Sequence, residues 1–334
     1  MALDEFGLIR RYFTRADHRL LAGVRLGIGD DAALLDLPPG ESLAVTTDTL
    51  VAGRHFPHDA LPIDIGWKAL AVNLSDLAAM GARPVGVTLA ITLPSADEAW
   101  LAAFADGFFA LADAHGVPLI GGDTTRGPLS ITVTALGSVP FKQALRRDGA
   151  QPGDLIYVSG TLGDGGLGLA LAQDRLQYVH LPPLHQAYAL ARLHRPTPRL
   201  ALGLALRGIA SAAMDVSDGL VQDLGHLLKA SGRAELLGAT LTLEQLPLSP
   251  AMRYLAGEGD ALQQQVLNWA LAAGDDYELL FTVPASQQMQ VEALGHELEL
   301  PLVQVGIVEL EAGARLMWRS KPWQHEGATG FRHF

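Results

Sequence analysis

Apolar and polar positions along the chain follow two alternating periods. Residues 43–47, 85–93, 129–139 and 155–158 are β-rich, whereas the apolar positions of 65–80 and 96–114 recur at helical spacing. The second half repeats the alternation. A strand starts at residue 155, and helices follow near 168–172 and 184–193. A strand at 212–216, a helix over 218–229, a helix near 262–271 and strands at 277–283 and 302–308 complete it. Gly149, Pro152 and Gly153 form a breaker cluster after Arg146 and Arg147, just before a new strand. The predicted boundary is therefore at residue 148, between an N-terminal domain of residues 1–147 and a C-terminal domain of residues 148–334. The expected class is mixed, α/β in the broad α+β sense, with two domains. A length of 334 residues suits two cores at roughly 100–200 residues per domain.

Composition narrows the chemistry. Hydrophobic residues make up 49% and charged residues 18%, so the chain has ample apolar surface to bury and folds as a globular protein. It contains no cysteine, which removes disulfides, thiolate metal sites, iron–sulfur clusters and cysteine nucleophiles together. The 24 basic and 36 acidic residues give a net charge of −12, with no basic patch, so nucleic acid is not an expected partner. Asp4, Glu5, Arg10 and Arg11 interrupt the first segment, unlike a secretory signal. The apolar stretches 84–96 and 128–141 are shorter than the roughly 20 residues of a membrane-spanning helix. A soluble, cytoplasmic protein without a membrane partner is expected.

Several familiar motifs are missing. No Gly-Lys pair occurs, so there is no P-loop, and neither H-E-x-x-H nor G-x-S-x-G is present. Residues 163–168, GDGGLG, do match G-x-G-x-x-G between a predicted strand and helix. A dinucleotide site also needs an acid about 20 residues later, yet no Asp or Glu lies between Asp174 and Asp215. A flexible turn opening a helix is the simpler account.

The informative residues are acids inside apolar runs. Asp30 and Asp31 stand in LGIGDDAALL, Asp48 in LAVTTDTLV, Asp76 in ALAVNLSDLAAMGA and Asp123 in PLIGGDTT; Asp215 and Asp218 stand in AMDVSDGL, and Asp275 and Asp276 in AAGDDYELLF. An unpaired buried carboxylate demands a cation or several hydrogen-bond donors. Lysine occurs only at positions 68, 142, 229 and 321, so divalent metal is a source of the missing charge, and all-oxygen ligands favour Mg²⁺ or Mn²⁺. Thr46 and Thr47 add hard oxygen donors beside Asp48 at the expected end of a strand. Each position also has a plainer explanation. Asp48 fits an Asx turn, Asp30 and Asp31 a tight turn, and Gly121-Gly122 a simple loop before Asp123. Asp76 fits a solvated helix position, although Leu74, Leu77 and Met80 surround it and Asn73 lies one turn earlier. Asp215 and Asp218, three apart around Ser217, fit the cap of the following helix, whose free N–H groups would also take a phosphate. Contacts of Asp30, Asp276 and Arg126 are not defined by sequence.

Seven segments in order carry a resemblance that spans residues from about 5 to 334: GIGDDAALL, TTDTLVAGRHF, NLSDLAAMGA, LIGGDTTRGPLS, DVSDGL, GDDYEL and the terminal GFRHF. With these the chain resembles the thiamine-monophosphate kinases of the aminoimidazole ribonucleotide synthetase superfamily. The resemblance implies an N-terminal domain that binds ATP and Mg²⁺ and forms a homodimer through its β-strands. It implies a C-terminal α/β domain that completes the active-site cleft. By motif position it assigns several Mg²⁺ ions to Asp31, Thr46, Thr47, Asp48, Asp76, Asp123, Asp215 and Asp218. Asp48, Asp123 and Asp215 are then catalytic. ATP contacts fall on Gly122, Asp123, Arg147 and Ser217, and substrate contacts on His55, Asp275 and Phe331, the last an aromatic packing on thiamine. Two segments depart from the family pattern. GDDYEL stands where GEDYEL is usual, which shortens Asp275 by one methylene, and GFRHF stands where aromatic-Asp-His-Phe is usual, which places Arg332 beside Phe331.

The implied reaction is direct in-line transfer of the γ-phosphoryl group of ATP to the phosphate of thiamine monophosphate, the last step of thiamine diphosphate biosynthesis. The acceptor oxygen is already anionic, so no general base is needed. The obstacle is repulsion between two polyanions, which metals on the aspartates and Arg147 as a planar donor would offset. Competing expectations are a synthetase of the same superfamily acting on aminoimidazole ribonucleotide or selenophosphate, a metal-dependent phosphatase, and a non-catalytic nucleotide-binding protein.

Overall fold

The computed structural model describes residues 5–15, 23–176, 179–232, 237–324 and 330. The chain divides into two units, Met1–Leu77 with Ala82–Lys142, and Ala78–Gly81 with Gln143–Phe334.

In the first unit α1 (Glu5–Leu8) runs into a π-helical turn, Ile9–Phe13, and β1 (Val24–Leu26) pairs with β2 (Leu34–Leu35). The main sheet follows from β3 (Glu41–Val51), α2 (Pro62–Ala79), β4 (Arg83–Leu93), α3 (Glu98–His115), β5 (Leu119–Arg126) and β6 (Ser130–Pro140). Its strand order is β3-β6-β4-β5, with β6 antiparallel to both neighbours and β4 parallel to β5. Helix α3 shows why local sequence sets its limits. Asp97 Oδ1 accepts the N–H groups of Ala99 and Trp100 at 2.9 and 3.1 Å, and Gly116 ends the helix in the left-handed region at φ 61°. Leu70, Leu74 and Leu77 of α2, Leu101, Phe104 and Phe108 of α3, and Val87, Ile91, Ile131 and Val133 of the sheet are buried. The two helices approach closely at glycines, since a Cβ on Gly107 would lie 1.8 Å from the Ile63 carbonyl oxygen. Strand β3 is at the sheet edge and exposes Leu43 (48%) and Val45 (58%).

The second unit contains β7 (Leu155–Ser159), α4 (Asp164–Ala172), α5 (Pro183–His194), α6 (Leu200–Ala205), β8 (Ala212–Val216), α7 (Leu220–Ser231) and β9 (Gly238–Thr242). It continues with α8 (Pro250–Gly257), α9 (Asp260–Ala272), β10 (Glu278–Val283), α10 (Gln288–Glu297), β11 (Leu302–Glu309), β12 (Gly313–Trp318) and β13 (Lys321–Pro322). The seven strands are ordered β13-β12-β9-β11-β7-β10-β8, antiparallel at every step except β12-β9. Strands β7, β8 and β10 are buried throughout, which explains their unbroken apolar runs. Their side chains join α7 in one core, including Ile156, Val216, Leu224 and Leu280, while Leu167, Met252 and Trp269 of α4, α8 and α9 form a second.

The mixed class expected from periodicity is found. Three local differences bear on the site. Gly121 and Gly122, which fit a loop by sequence, lie within β5, because parallel pairing with β4 overrides glycine's weak strand preference. Strand β3 continues through Val51, so Asp48 is inside it rather than at its end. Helix α7 begins at Leu220 rather than at 218. Strand β9 and helix α8 are further elements not marked in the sequence reading, although Ser249 and Pro250 carry a helix-start signal for α8. Among the described residues no helix is long and apolar enough to cross a membrane.

Candidate active site

Strand alternation sorts the TTD segment. Side chains two apart share a face, so Thr46 and Asp48 lie on one side of β3 and Thr47 on the other. Thr46 Oγ1 donates to Asp76 Oδ2 of α2, which brings Asp76 to the Asp48 side. The Asp48 N–H donates to Asn73 Oδ1 at 3.1 Å, and Asn73, fully buried, anchors itself by donating from Nδ2 to the Ala69 carbonyl at 3.1 Å. Thr47 instead shares a 2.9 Å hydrogen bond with Thr134 across the β3–β6 pair. The Asp48 carboxylate makes no hydrogen bond or ion pair among the described residues. Burial, reinforced by the like charge of Asp76, pushes its pKa up to about 6.

A cleft of about 950 Å³ in the same unit is lined by Arg10, Asp30, Asp31, Gly122, Asp123 and Thr124, among others. The Asp31 N–H donates to Asp30 Oδ1 at 2.8 Å. Gly122 is the residue that the strand geometry demands. Its φ is +151°, and a Cβ there would lie 1.9 Å from the Leu89 carbonyl oxygen of the neighbouring strand. Asp123, next along β5, is exposed at this cleft. His55 closes the turn after β3, where its Nδ1 accepts the Val51 N–H at 3.0 Å, so the neutral ring carries its proton on Nε2.

In the second unit Asp215 is buried on β8 opposite Leu279 of β10, and Ser217 and Asp218 occupy the turn into α7. Neither aspartate caps the helix. Asp223, from the first turn of α7, reaches back so that Oδ2 accepts the N–H groups of Ser217, Asp218 and Gly219 at 3.1, 3.1 and 3.0 Å. Three N–H groups of the turn that leads into α7 are thus occupied by an internal carboxylate. Burial, with the Asp218 charge second, raises the Asp223 pKa to about 7. The 274–277 segment is zipped to this turn, with Asp275 N–H donating to Ser217 O and Tyr277 N–H to Val216 O, both at 2.9 Å. The GDGGLG segment has a similar fate. Gly163 and Gly165 N–H groups donate to Asp276 Oδ2 and Oδ1 at 2.8 and 3.2 Å, so this helix start also binds a carboxylate of the chain itself.

Arg147 has an exposed side chain, and its carbonyl accepts the Ser231 hydroxyl at 2.8 Å. Phe331 and Arg332 lie outside the described residues. Sequence reasoning did not find Asp223, whose capping role needs the folded turn, and assigned no contact to Asp276.

The donor set fits Mg²⁺ at the Asp48–Asp76 pair. This ion needs hard oxygens and commonly takes only one or two carboxylates together with water and substrate phosphates. A half-buried, unpaired carboxylate repelled by a second one supplies that. Among the described residues no group of three or more His, Cys, Asp or Glu side chains is arranged around a common point, so an all-protein cage is not present.

Comparison with known proteins agrees with the fold and its halves. The family described as AIR synthase related protein, N-terminal domain, matches residues 29–139, and its C-terminal domain matches residues 151–319. The thiamine-monophosphate kinase of Salmonella typhimurium is 52% identical over 306 residues, 92% of this chain and 90% of that one. The crystal structure of thiamine-monophosphate kinase from Stenotrophomonas maltophilia K279a superposes with a TM-score of 0.84 at 51% identity, covering 95% of this chain and 97% of that chain. A structure described as AaThiL complexed with AMPPCP and TMP superposes with a TM-score of 0.74 at 30% identity, covering 92% of each chain. This chain therefore belongs to the AIR synthase related family and, within it, to the thiamine-monophosphate kinases.

Proposed function

We propose that this chain transfers the γ-phosphoryl group of ATP to the phosphate of thiamine monophosphate, giving thiamine diphosphate and ADP. The observation that carries this is the Asp48–Asp76 pair, an electrostatically unfavourable arrangement until cations arrive, in a chain whose relatives at about half identity are thiamine-monophosphate kinases. An oxygen of the thiamine phosphate attacks the γ-phosphorus, the bond from that phosphorus to the β–γ bridging oxygen breaks, and ADP leaves with the electron pair. The acceptor is already an anion, so no residue has to remove a proton. Asp48 and Asp76, with Thr46 beside them, would hold one Mg²⁺, and Asp31 and Asp123 in the first unit and Asp215 and Asp218 in the second would hold others, together with water and substrate phosphates. Bound there, the ions would supply positive charge to the phosphates. Thr47, turned to the other face of β3 and bonded to Thr134, is not a ligand of the Asp48–Asp76 pair.

The chain's own groups bind and orient. Gly122 lets backbone approach the nucleotide at the cleft in which Asp123 is exposed, and Ser217 and Arg147 contact its phosphates. His55, Asp275 and Phe331 contact thiamine monophosphate. Asp48, Asp123 and Asp215 are the catalytic acids. A homodimer formed along β3 is supported by the exposed Leu43 and Val45 on that edge strand, which a second copy would cover. A cytoplasmic location is supported by the cysteine-free composition.

The test is to incubate the purified chain with Mg-ATP and thiamine monophosphate and to separate the products. Thiamine diphosphate and ADP in equal amounts are expected. Release of inorganic phosphate instead, or nucleotide binding without turnover, overturns the assignment.

A further inference from the structure

Residues 274–277 of the second unit are held in a conformation that their sequence disfavours. Asp275 and Tyr277 have φ values of 60° and 51°, in the left-handed region that residues with side chains avoid unless their surroundings over-determine it. Such strain concentrates where geometry serves function. Two backbone bonds tie the segment to the Ser217 turn, Asp275 N–H to Ser217 O and Tyr277 N–H to Val216 O. Between them Asp276, only 1% exposed, grips the glycine-rich start of α4 through the N–H groups of Gly163 and Gly165. Arg192 closes the other side. Its Nη2 donates to the Asp276 carbonyl at 2.8 Å and to Glu278 Oε1 at 2.9 Å, and Glu278 is fixed in turn by Arg199 Nε and Ser159 Oγ, both at 2.6 Å. No slack remains, because a Cβ on Gly165 would stand 2.7 Å from the Gly274 carbonyl oxygen and 2.8 Å from that of Asp275.

We propose that Asp276, backed by Arg192, is a positioning residue that locks the strained segment between the start of α4 and the Ser217 turn, and so fixes the Asp275 carboxylate where thiamine monophosphate binds. This role presupposes the kinase activity and the Asp275 contact proposed above. It explains why a glycine-rich helix start that resembles a phosphate loop carries no phosphate role. Its N–H groups hold the aspartate next to the substrate contact instead.

The test compares steady-state constants and melting temperatures of the full chain and three variants. Asp276→Asn keeps the shape but replaces one acceptor oxygen by a donor facing an N–H. Gly165→Ala leaves the carboxylate and presses on the segment from the other side. Ser249→Ala is the stability control, because its hydroxyl donates to buried Asp164 at 2.6 Å and caps α8, away from the N–H groups that Asp276 holds. Asp276→Asn and Gly165→Ala are expected to raise the KM for thiamine monophosphate about tenfold or more, whereas Ser249→Ala lowers the melting temperature with both KM values kept. If Asp276→Asn does not fold, Gly165→Ala alone carries the test. An active wild type with an unchanged KM for thiamine monophosphate in every folded clamp variant overturns the positioning role. A wild type that makes no thiamine diphosphate overturns the kinase assignment itself, a distinct result.

Discussion

Glu278 and Asp48 are acids on strands of the two units, and the chain treats them oppositely. Glu278 is completely buried, yet Arg192 and Arg199 both donate to its carboxylate and Ser159 adds a third donor. Asp48 is less buried and has no donor to its carboxylate among the described residues, while Asp76 on the same side of the strand repels it. Raised pKa values do not separate the two behaviours. Asp276 is pushed to about 8 by burial although two backbone N–H groups hold it, and Asp223 to about 7 although three do. What separates them is the presence of internal donors. Acids with donors organise the second unit, and an acid without them keeps the electrostatic cost of its burial.

The comparison breaks most visibly through activity. Asp48→Asn keeps the size of the side chain and removes a hard anionic ligand. The expected loss in kcat/KM is on the order of 10³-fold or more, in the range seen when electrostatic groups at the reacting centre are removed. The folded chain should be unharmed, so near-native circular dichroism must accompany the loss. Turnover close to that of the wild type would show that Asp48 is an ordinary strand residue and that the two units do not differ in kind.

Next in size is the reverse experiment in the second unit. Glu278→Gln leaves Arg192 and Arg199 buried without their carboxylate, which should lower stability by about 3–5 kcal/mol in urea unfolding. Sequence inspection does not reveal this pair, because Arg192 and Arg199 lie 86 and 79 residues before Glu278 along the chain. Much else was legible. The helix that carries Asp76 and the strands that carry Asp215 and Glu278 follow from periodicity, and seven ordered segments carry the family resemblance. What was not legible depends on long-range pairing. Gly121-Gly122 gives no strand signal until β4 pairs with it, and the GDGGLG segment looks like a phosphate loop until Asp276 fills it. Adjacent Thr46 and Thr47 read alike in the sequence, and only the position of α2 tells which of them meets Asp76. A stability loss under 1 kcal/mol for Glu278→Gln would mean that this buried cluster is no better organised than Asp48.

The smallest effect is a pH dependence of the metal-free chain. In the unfolded chain Asp48 titrates near its ordinary 3.8, and in the folded chain near 6. Between those values the folded state holds more protons than the unfolded one, so stability falls as pH rises through the window and stays lower above it. Allowing for the partial exposure of the group, its share is about 1–2 kcal/mol. Asp223 and Asp276 tilt the profile the same way at higher pH, so the informative quantity is the difference between two profiles. Without divalent ions Asp48→Asn should match the wild type near pH 4, where Asp48 is neutral, and exceed it by that amount at pH 7. The variant that is least active is then the more stable one. Adding Mg²⁺ should narrow the gap at pH 7 by stabilising only the wild type, and it should do nothing near pH 4, where the proton occupies the same oxygens. Parallel profiles from pH 4 to 7 would show that neither burial nor the charge of Asp76 raises the Asp48 pKa, and the electrostatic contrast between the units would be lost.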